Sequence, residues 1–299
     1  MENKKLNGTA VSKILYEELR NYLVKRKFLP SIVSISIGDD FGGHMYAKME
    51  ENKINKETSM TFESVHFDTI NKKKLINYLD ILNRNSEING ITIHLPLPSN
   101  LKAYEREILD SIAYQKDVDG LTTIQAGKLS VGTDAFIPCT ALGIETLLKA
   151  YDIPLEGKRV AIINRSNIVG KPLAALMLRN NATPIICHSK TANLKEVTSS
   201  CDIVVAALNK QEYITSDYIK EDAIIIDVGV HKNSEGKTVG DVNYNDVYDK
   251  ASLITPPTGA VGPMTICMLA YNAAKSVYGE EINSVLEEGI EKSKRLILK

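Results

Sequence analysis

"GKRVAIINRSNIVGKP", residues 157 to 172, passes from an apolar, β-branched segment through a polar turn into a segment with helical spacing. A strand that turns into a helix presents backbone N–H groups and a helix N-terminus to an anion, which is how nucleotide folds hold phosphate. The turn is not G-x-G-x-x-G. Asn164 takes its first position, where a residue tolerant of positive φ is expected and asparagine serves better than most non-glycines. Gly170 would let the helix approach the strand closely. Taken alone, the stretch reads equally as a plain turn.

Its surroundings favour the nucleotide reading. "ATPIICHS" (182 to 189), "CDIVVAAL" (201 to 208) and "DAIIIDVGV" (222 to 230) are further short apolar strands with helical segments between several of them. This is the pattern of a doubly wound, mostly parallel sheet. The strand ending in "CHSKT" (187 to 191) lies where such folds recognise the adenosine ribose, by an acid for NAD or an arginine for a 2'-phosphate. Arg165, His188 and Ser189 are available there and no acid is among them, which favours NADP. A solvated surface cation is the competing reading of Arg165.

Upstream, "PCTALGIETLLKAY" (138 to 151) reads as a helix opened by Thr140 as a capping hydroxyl. "SIVSISIG" (31 to 38) and "GITIHLPLP" (90 to 98) read as strands, and 44 to 57 and 75 to 85 as helices. A long helix near 262 to 278 and a charged tail are expected to return to the first half. The chain therefore reads as α/β with two domains and a cleft between them. The first is an N-terminal α/β domain over 1–140 joined by 270–299, and the second a Rossmann-like nucleotide-binding domain over 141–269.

Composition narrows the partners. Across 299 residues, 36 Lys and Arg stand against 37 Asp and Glu, for a formal charge of -1. No whole-chain field draws nucleic acid or an anionic membrane, so a small molecule is expected. Cys139, Cys187, Cys201 and Cys267 show no C-x-x-C and no histidine at metal-ligand spacing, and read as reduced core thiols with no metal. "MENKKLNGTAVSK" lacks a signal peptide's apolar core, and no apolar run approaches the ~20 residues of a membrane helix. A cytoplasmic protein is expected.

Eight motifs then fall together: "HLPLP" (94 to 98), "KDVDG" (116 to 120), "PCT" (138 to 140), "RSNIVGKP" (165 to 172), "CHSKT", "IDVG" (226 to 229), "GDV" (240 to 242) and "VGPMT" (261 to 265). In order and spacing the chain resembles the methylenetetrahydrofolate dehydrogenase and methenyltetrahydrofolate cyclohydrolase (FolD-type) family over almost its whole length. The resemblance implies a homodimer whose subunits bind a tetrahydrofolate derivative between a folate-side and an NADP-binding domain. It implies hydride transfer from 5,10-methylenetetrahydrofolate to NADP, then hydrolysis of the methenyl cation to 10-formyltetrahydrofolate. By the same resemblance Tyr46 is the tyrosine near the folate ring and Asp119 the acid that grips the pterin, although an acid that only fixes a turn is an alternative. Arg165, Ser166 and Ser189 match phosphate-binding positions, Asn164 replaces the usual glycine, and Val230 sits where a strand end meets the cofactor. Thr140 and Thr265 match cofactor-side hydroxyls and read equally as helix caps.

Departures cluster at one end of the site. Gly43 stands for the family's serine, Glu50 for its lysine four residues after Tyr46, and His94 for its glutamine before L-P-L-P; Thr258 and Ala260 alter a folate-side loop. The family's groups at the first three positions are those credited with holding and activating the hydrolytic water. Lys48 falls on the wrong helix face, while Lys53 shares the face of Tyr46 and could reach part of the way. A carboxylate beside the cation formed by hydride loss would stabilise it, by about 4 kcal/mol at ~4 Å as an upper guide, and make it less electrophilic toward water. The expectation is a dehydrogenase with weak or absent cyclohydrolase activity. Alternatives are a bifunctional enzyme with Glu50 as general base and His94 as its partner, an oxidoreductase on another pterin-like substrate, and a non-catalytic folate- or NADP-binding protein.

Overall fold

The computed structural model describes residues 4–38 and 41–298, with the side chains of 41–45 left outside that description. In chain order the first half contains α1 (Gly8–Leu23), β1 (Ser31–Ile37), α2 (Phe41–Thr58), β2 (Thr61–Phe67), α3 (Lys72–Arg84), β3 (Gly90–Ile93), α4 (Ser99–Lys102), α5 (Glu105–Asp110) and α6 (Thr123–Ser130). The second contains α7 (Cys139–Ala150), β4 (Arg159–Ile163), α8 (Gly170–Arg179), β5 (Thr183–Cys187), α9 (Leu194–Thr198), β6 (Ile203–Ala206), β7 (Ile224–Asp227), β8 (His231–Lys232), β9 (Thr238–Val239), α10 (Tyr244–Val247), β10 (Leu253–Ile254), α11 (Val261–Tyr278) and α12 (Glu281–Ile297).

The chain divides into two compact units. One comprises Leu15–Cys139 and Ile266–Gly289 and carries a parallel sheet in the order β2-β1-β3. Alternating residues of β1 point to one face, so Ser34 and Ser36 share a face with each other and not with Ile35. Parallel strands are ordinarily apolar on both faces. Both serines are nevertheless buried, and each is satisfied by an imidazole, Ser34 by His94 at 2.8 Å and Ser36 by His66 at 2.9 Å.

The other unit comprises Met1–Ile14, Thr140–Thr265 and Ile290–Lys299 and carries a five-stranded sheet, β10-β7-β6-β4-β5, whose paired strands are all parallel. Its core draws on the apolar faces of the strands, with Ala161, Ile163, Val204, Ala206 and Ile225 buried together. Burial of each large aliphatic side chain of this kind stabilises by about 1.5–3 kcal/mol. This grouping differs from the expected division at the chain ends. Leu6 N donates to Ile254 O at 2.9 Å, and Gly8 lies against the Ala260 backbone so closely that a side chain would not fit, which ties the first residues to the nucleotide sheet.

Asn272 on α11 shows how a helix far along the chain fixes the first unit. It is buried, and its Nδ2 donates to Val118 O and Ile137 O, both at 2.9 Å. An unpaired buried carbonyl costs about 1–3 kcal/mol. Asn272→Ala is therefore expected to lower the urea midpoint of unfolding with the m-value unchanged; a midpoint equal to wild type would show that water replaces the amide at no cost.

Candidate active site

Ala47, Glu50, Ile54 and Thr58 lie on one stripe of α2 at helical spacing, and all four are buried. Glu50 thus occupies a core position and is only 4% exposed. His94, immediately beyond β3, is placed by its backbone N–H donating to Ile35 O at 2.8 Å. Its Nε2 lies 3.2 Å from Glu50 Oε2 and 2.8 Å from Ser34 Oγ. The better-directed bond goes to Ser34; Glu50 Oε2 has close contact with the ring but no aligned hydrogen-bond donor. Burial alone would lower the His94 pKa, but the Glu50 carboxylate beside it, with a lesser contribution from Asp119, raises it above its ordinary value. Tyr46 meets the imidazole edge to face, with centroids 6.2 Å apart. Burial, then the Glu50 charge, pushes its phenol pKa up, so Tyr46 is a neutral hydroxyl at physiological pH.

The "KDVDG" segment separates two acids by function. Asp117 is buried, and its carboxylate accepts from Leu121 N at 3.1 Å and Thr122 N at 2.7 Å, so this residue fixes the turn. Asp119 does not. Its Oδ2 accepts from Thr92 Oγ1 at 3.3 Å, while the neighbouring Cys139 thiol donates to Val118 O at 3.8 Å. Burial pushes the Asp119 pKa up to about 6, with the nearby Cys139 thiol opposing and the charges of Asp117 and Glu50 adding to the rise. Burial and the Asp119 charge together hold Cys139 as a neutral thiol. Asn272 Nδ2 approaches Cys139 Sγ at 3.6 Å, so the thiol is held on both sides.

In the nucleotide unit the first turn position departs from expectation. Asn164 is not among the residues with positive φ; its role is carried by the side chain. Oδ1 accepts from Ser166 N at 2.7 Å and Gly170 N at 3.2 Å, and Nδ2 donates to Ala207 O at 2.5 Å. A Cβ on Gly170 would overlap the Asn164 carbonyl, so the close approach expected there is present. Ser166 Oγ accepts from Val169 N at 3.0 Å. Arg165 is exposed and has no ion pair among the described residues, which leaves its charge available to an anion. Ser189 is exposed just beyond β5, and Val230 is exposed three residues beyond β7. These residues fit a phosphate-bearing ligand: a cation, two hydroxyl groups and a helix start lie at the carboxyl ends of parallel strands.

Thr140 does not open its helix, because α7 begins at Cys139. Its hydroxyl instead lies 3.4 Å from Thr265 Oγ1, which also donates to Val261 O at 3.1 Å. Lys53 is held on its own helix. Its ammonium pairs with Glu57 at 2.9 Å and sits over the Tyr16 ring, while Lys48 pairs with Glu51 at 2.8 Å. Gly43 lies in the first turn of α2, where side-chain surroundings are outside the described residues. Thr258 is exposed and Ala260 buried. Ser34, Thr92 and Cys139 join the site without having been singled out for it, as did the Asp227–Asp241 pair on the nucleotide side. Asp241 is fully buried and accepts from Leu208 N, Asn209 N and Lys210 N at 2.7, 3.1 and 2.7 Å, and from His231 Nε2 at 2.8 Å. The small polar residues on alternate positions of β1 and β3 are the signal that could have revealed Ser34 and Thr92. No helix among the described residues is long and apolar enough to cross a membrane, and no group of three metal-ligating side chains occurs among them.

Comparison with known proteins also divides the chain in two, with a junction between residues 119 and 138. The family model for the tetrahydrofolate dehydrogenase/cyclohydrolase catalytic domain matches residues 6–119, and that for its NAD(P)-binding domain matches residues 138–280. The bifunctional protein FolD of Bacillus anthracis is 41% identical over 275 residues, spanning 91% of this chain and 95% of that protein. The crystal structure of the bifunctional FolD dehydrogenase/cyclohydrolase of Campylobacter jejuni is 38% identical and superposes with a TM-score of 0.87, covering 92% of this chain and 98% of that one. FolD of Trypanosoma brucei, solved with NADP cofactor and an inhibitor, is 28% identical with a TM-score of 0.84, covering 90% and 95%. By sequence and by fold, the chain belongs to the tetrahydrofolate dehydrogenase/cyclohydrolase family.

Proposed function

We propose that this chain is a cytoplasmic, homodimeric NADP-dependent 5,10-methylenetetrahydrofolate dehydrogenase whose methenyl cyclohydrolase activity is weak or absent. Asp119 carries the reading. A carboxylate kept free of the turn beside it, next to Tyr46 and His94, suits a pterin whose N3–H and amino group both donate. The relatives' activities support the reaction, and the NADP in the Trypanosoma brucei structure supports the cofactor, which when bound accepts the hydride. Arg165, Ser166 and Ser189 would hold its phosphates. The exposed Ile186 and partly exposed Ile185 on the edge strand β5 support pairing with a second copy.

The loss of hydrolysis follows from charge. With His94 protonated, the Glu50–His94 pair is neutral; with His94 deprotonated it is an anion. Neither state supplies the lysine cation that the family sets at position 50. The anionic state stabilises the methenyl cation and makes it a poorer electrophile for water.

The 3.2 Å contact also favours a second reading, in which the pair activates water. A carboxylate and Ser34 on Nε2 favour the tautomer with the proton on that atom, leaving Nδ1, unpartnered among the described residues, as the base. With purified protein, 5,10-methylenetetrahydrofolate and NADP, the first reading expects NADPH and methenyl product to rise together, methenyl decaying only at its spontaneous rate; Glu50→Lys then speeds that decay. Methenyl consumption faster than spontaneous in wild type selects the second reading, and no NADPH at all removes the dehydrogenase.

Two pH dependences follow. The folate site needs Asp119 ionised, so KM for the folate is expected to rise as pH falls through about 6, and a flat KM from pH 7 to 5 would remove Asp119 from substrate binding. Because the folded-state pKa of His94 is raised, its contribution to stability is complete below its ordinary 6.5 and is lost as pH rises through the folded value. Glu50→Gln removes the chief cause of that rise. The His94 ring protons should then titrate at lower pH by NMR, and stability should fall less steeply over the same interval; an unmoved titration would mean the carboxylate does not govern the imidazole.

A further inference from the structure

The turn after β4 is closed by a side chain that stands where the resembled family carries glycine. Gly170 is the first residue of α8, so its N–H is one of the helix-start donors that have no intrahelical partner. Asn164 Oδ1 occupies this donor and that of Ser166 together, at 3.2 and 2.7 Å. The other end of the same carboxamide reaches Ala207 O, immediately beyond β6, at 2.5 Å. In the order β10-β7-β6-β4-β5, β4 is the strand from which the chain first winds to one side, to β5, and then returns to the other, to β6. The carboxamide therefore bridges the ends of β4 and β6 at the topological switch point, the crevice where open α/β sheets bind ligands.

Nothing in the backbone calls for asparagine here, because position 164 lies outside the left-handed region. Its contribution is the side chain, and what that side chain presents to the two N–H groups is an oxygen acceptor in the manner of a phosphate oxygen. The neighbouring turn offers no substitute seat. The three successive N–H groups of Leu208, Asn209 and Lys210 already converge on the Asp241 carboxylate.

We propose that the Asn164 carboxamide fills a phosphate-oxygen seat of the dinucleotide turn, so that the cofactor binds only by displacing it and Asn164 sets the NADP affinity of this chain. The inference rests on the nucleotide-binding reading given above. A phosphate can displace the amide because charge-assisted hydrogen bonds are stronger than neutral ones, but it does so at the expense of all three carboxamide bonds. Arg165, exposed and without an ion pair among the described residues, remains to recruit the phosphate before the exchange.

The test is direct titration of NADP against wild type, Asn164→Ala and Asn164→Gly, followed by fluorescence or calorimetry, so that no turnover is required. Both variants should bind NADP about tenfold more tightly, the net worth of roughly one to three neutral hydrogen bonds that no longer have to be broken. Without ligand they should melt at lower temperature, having lost the closing bonds, yet show a larger NADP-induced rise in Tm than wild type. If wild type binds NADP and both variants bind it equally or more weakly, the carboxamide is a structural staple and the inference fails while the nucleotide reading stands. If none of the three binds NADP, both fail.

Discussion

A carboxylate in the buried stripe of a helix must find a cation or a proton. Glu50 meets this constraint through His94, which stands 3.2 Å away at the end of β3. Breaking such a pair by removing one partner leaves an uncompensated buried charge, so the two residues specify each other. The dependence runs further. His94 is seated by the β1 backbone through Ile35 O and by Ser34, so the register of β1 with β3, Ile35 opposite Ile93, decides where the imidazole lies. Tyr46, one turn before Glu50, then meets the ring edge to face because the helical spacing leaves it there. The chemistry at this end of the site descends from one buried charge and its counter-group.

The two units use the same architectural solution. In each, a parallel sheet winds to both sides of its first strand, β1 in one and β4 in the other, and the polar side chains gather beyond the carboxyl ends. The supporting carboxylates are also alike. Asp117 holds the backbone beside Asp119, and Asp241 holds the backbone after β6, while Asp227 accepts from Gly229 N, Asp241 N and Val242 N. Burial raises the Asp227 pKa to about 6 despite those donors. Acids of this kind serve the backbone.

Much of this was legible along the chain because it depends on local pattern. The short β-branched runs became strands β4 to β7 close to where they were read, since a strand buried in a parallel sheet is apolar along its length. The helical spacing of α2 sets Glu50 one turn after Tyr46, a relation fixed by position along the chain. Other expectations failed where the outcome depends on a partner distant in sequence. Asn164 looked like a residue chosen for its backbone, yet its amide bridges to Ala207, 43 positions away. Lys53 had the right face and length, but Glu57 on its own helix and the Tyr16 ring hold it elsewhere. The first residues looked like part of the first domain until Leu6 joined the backbone at Ile254.

By itself, then, the sequence determined the α/β class and the order of the strands along the chain, and it set an acid, an imidazole and a tyrosine at positions 119, 94 and 46 and a carboxylate at position 50. These follow from residue type and short-range spacing, to which a single chain's order is a sufficient guide. Tertiary structure alone decided that Asp117 fixes the turn while Asp119 does not, that Ser34 meets the His94 ring, and that Asn164 closes the turn after β4 from within. Each of those is a hydrogen bond or ion pair formed between segments brought together only by sheet register. Donor and acceptor geometry at about 3 Å cannot be read from spacing along a chain.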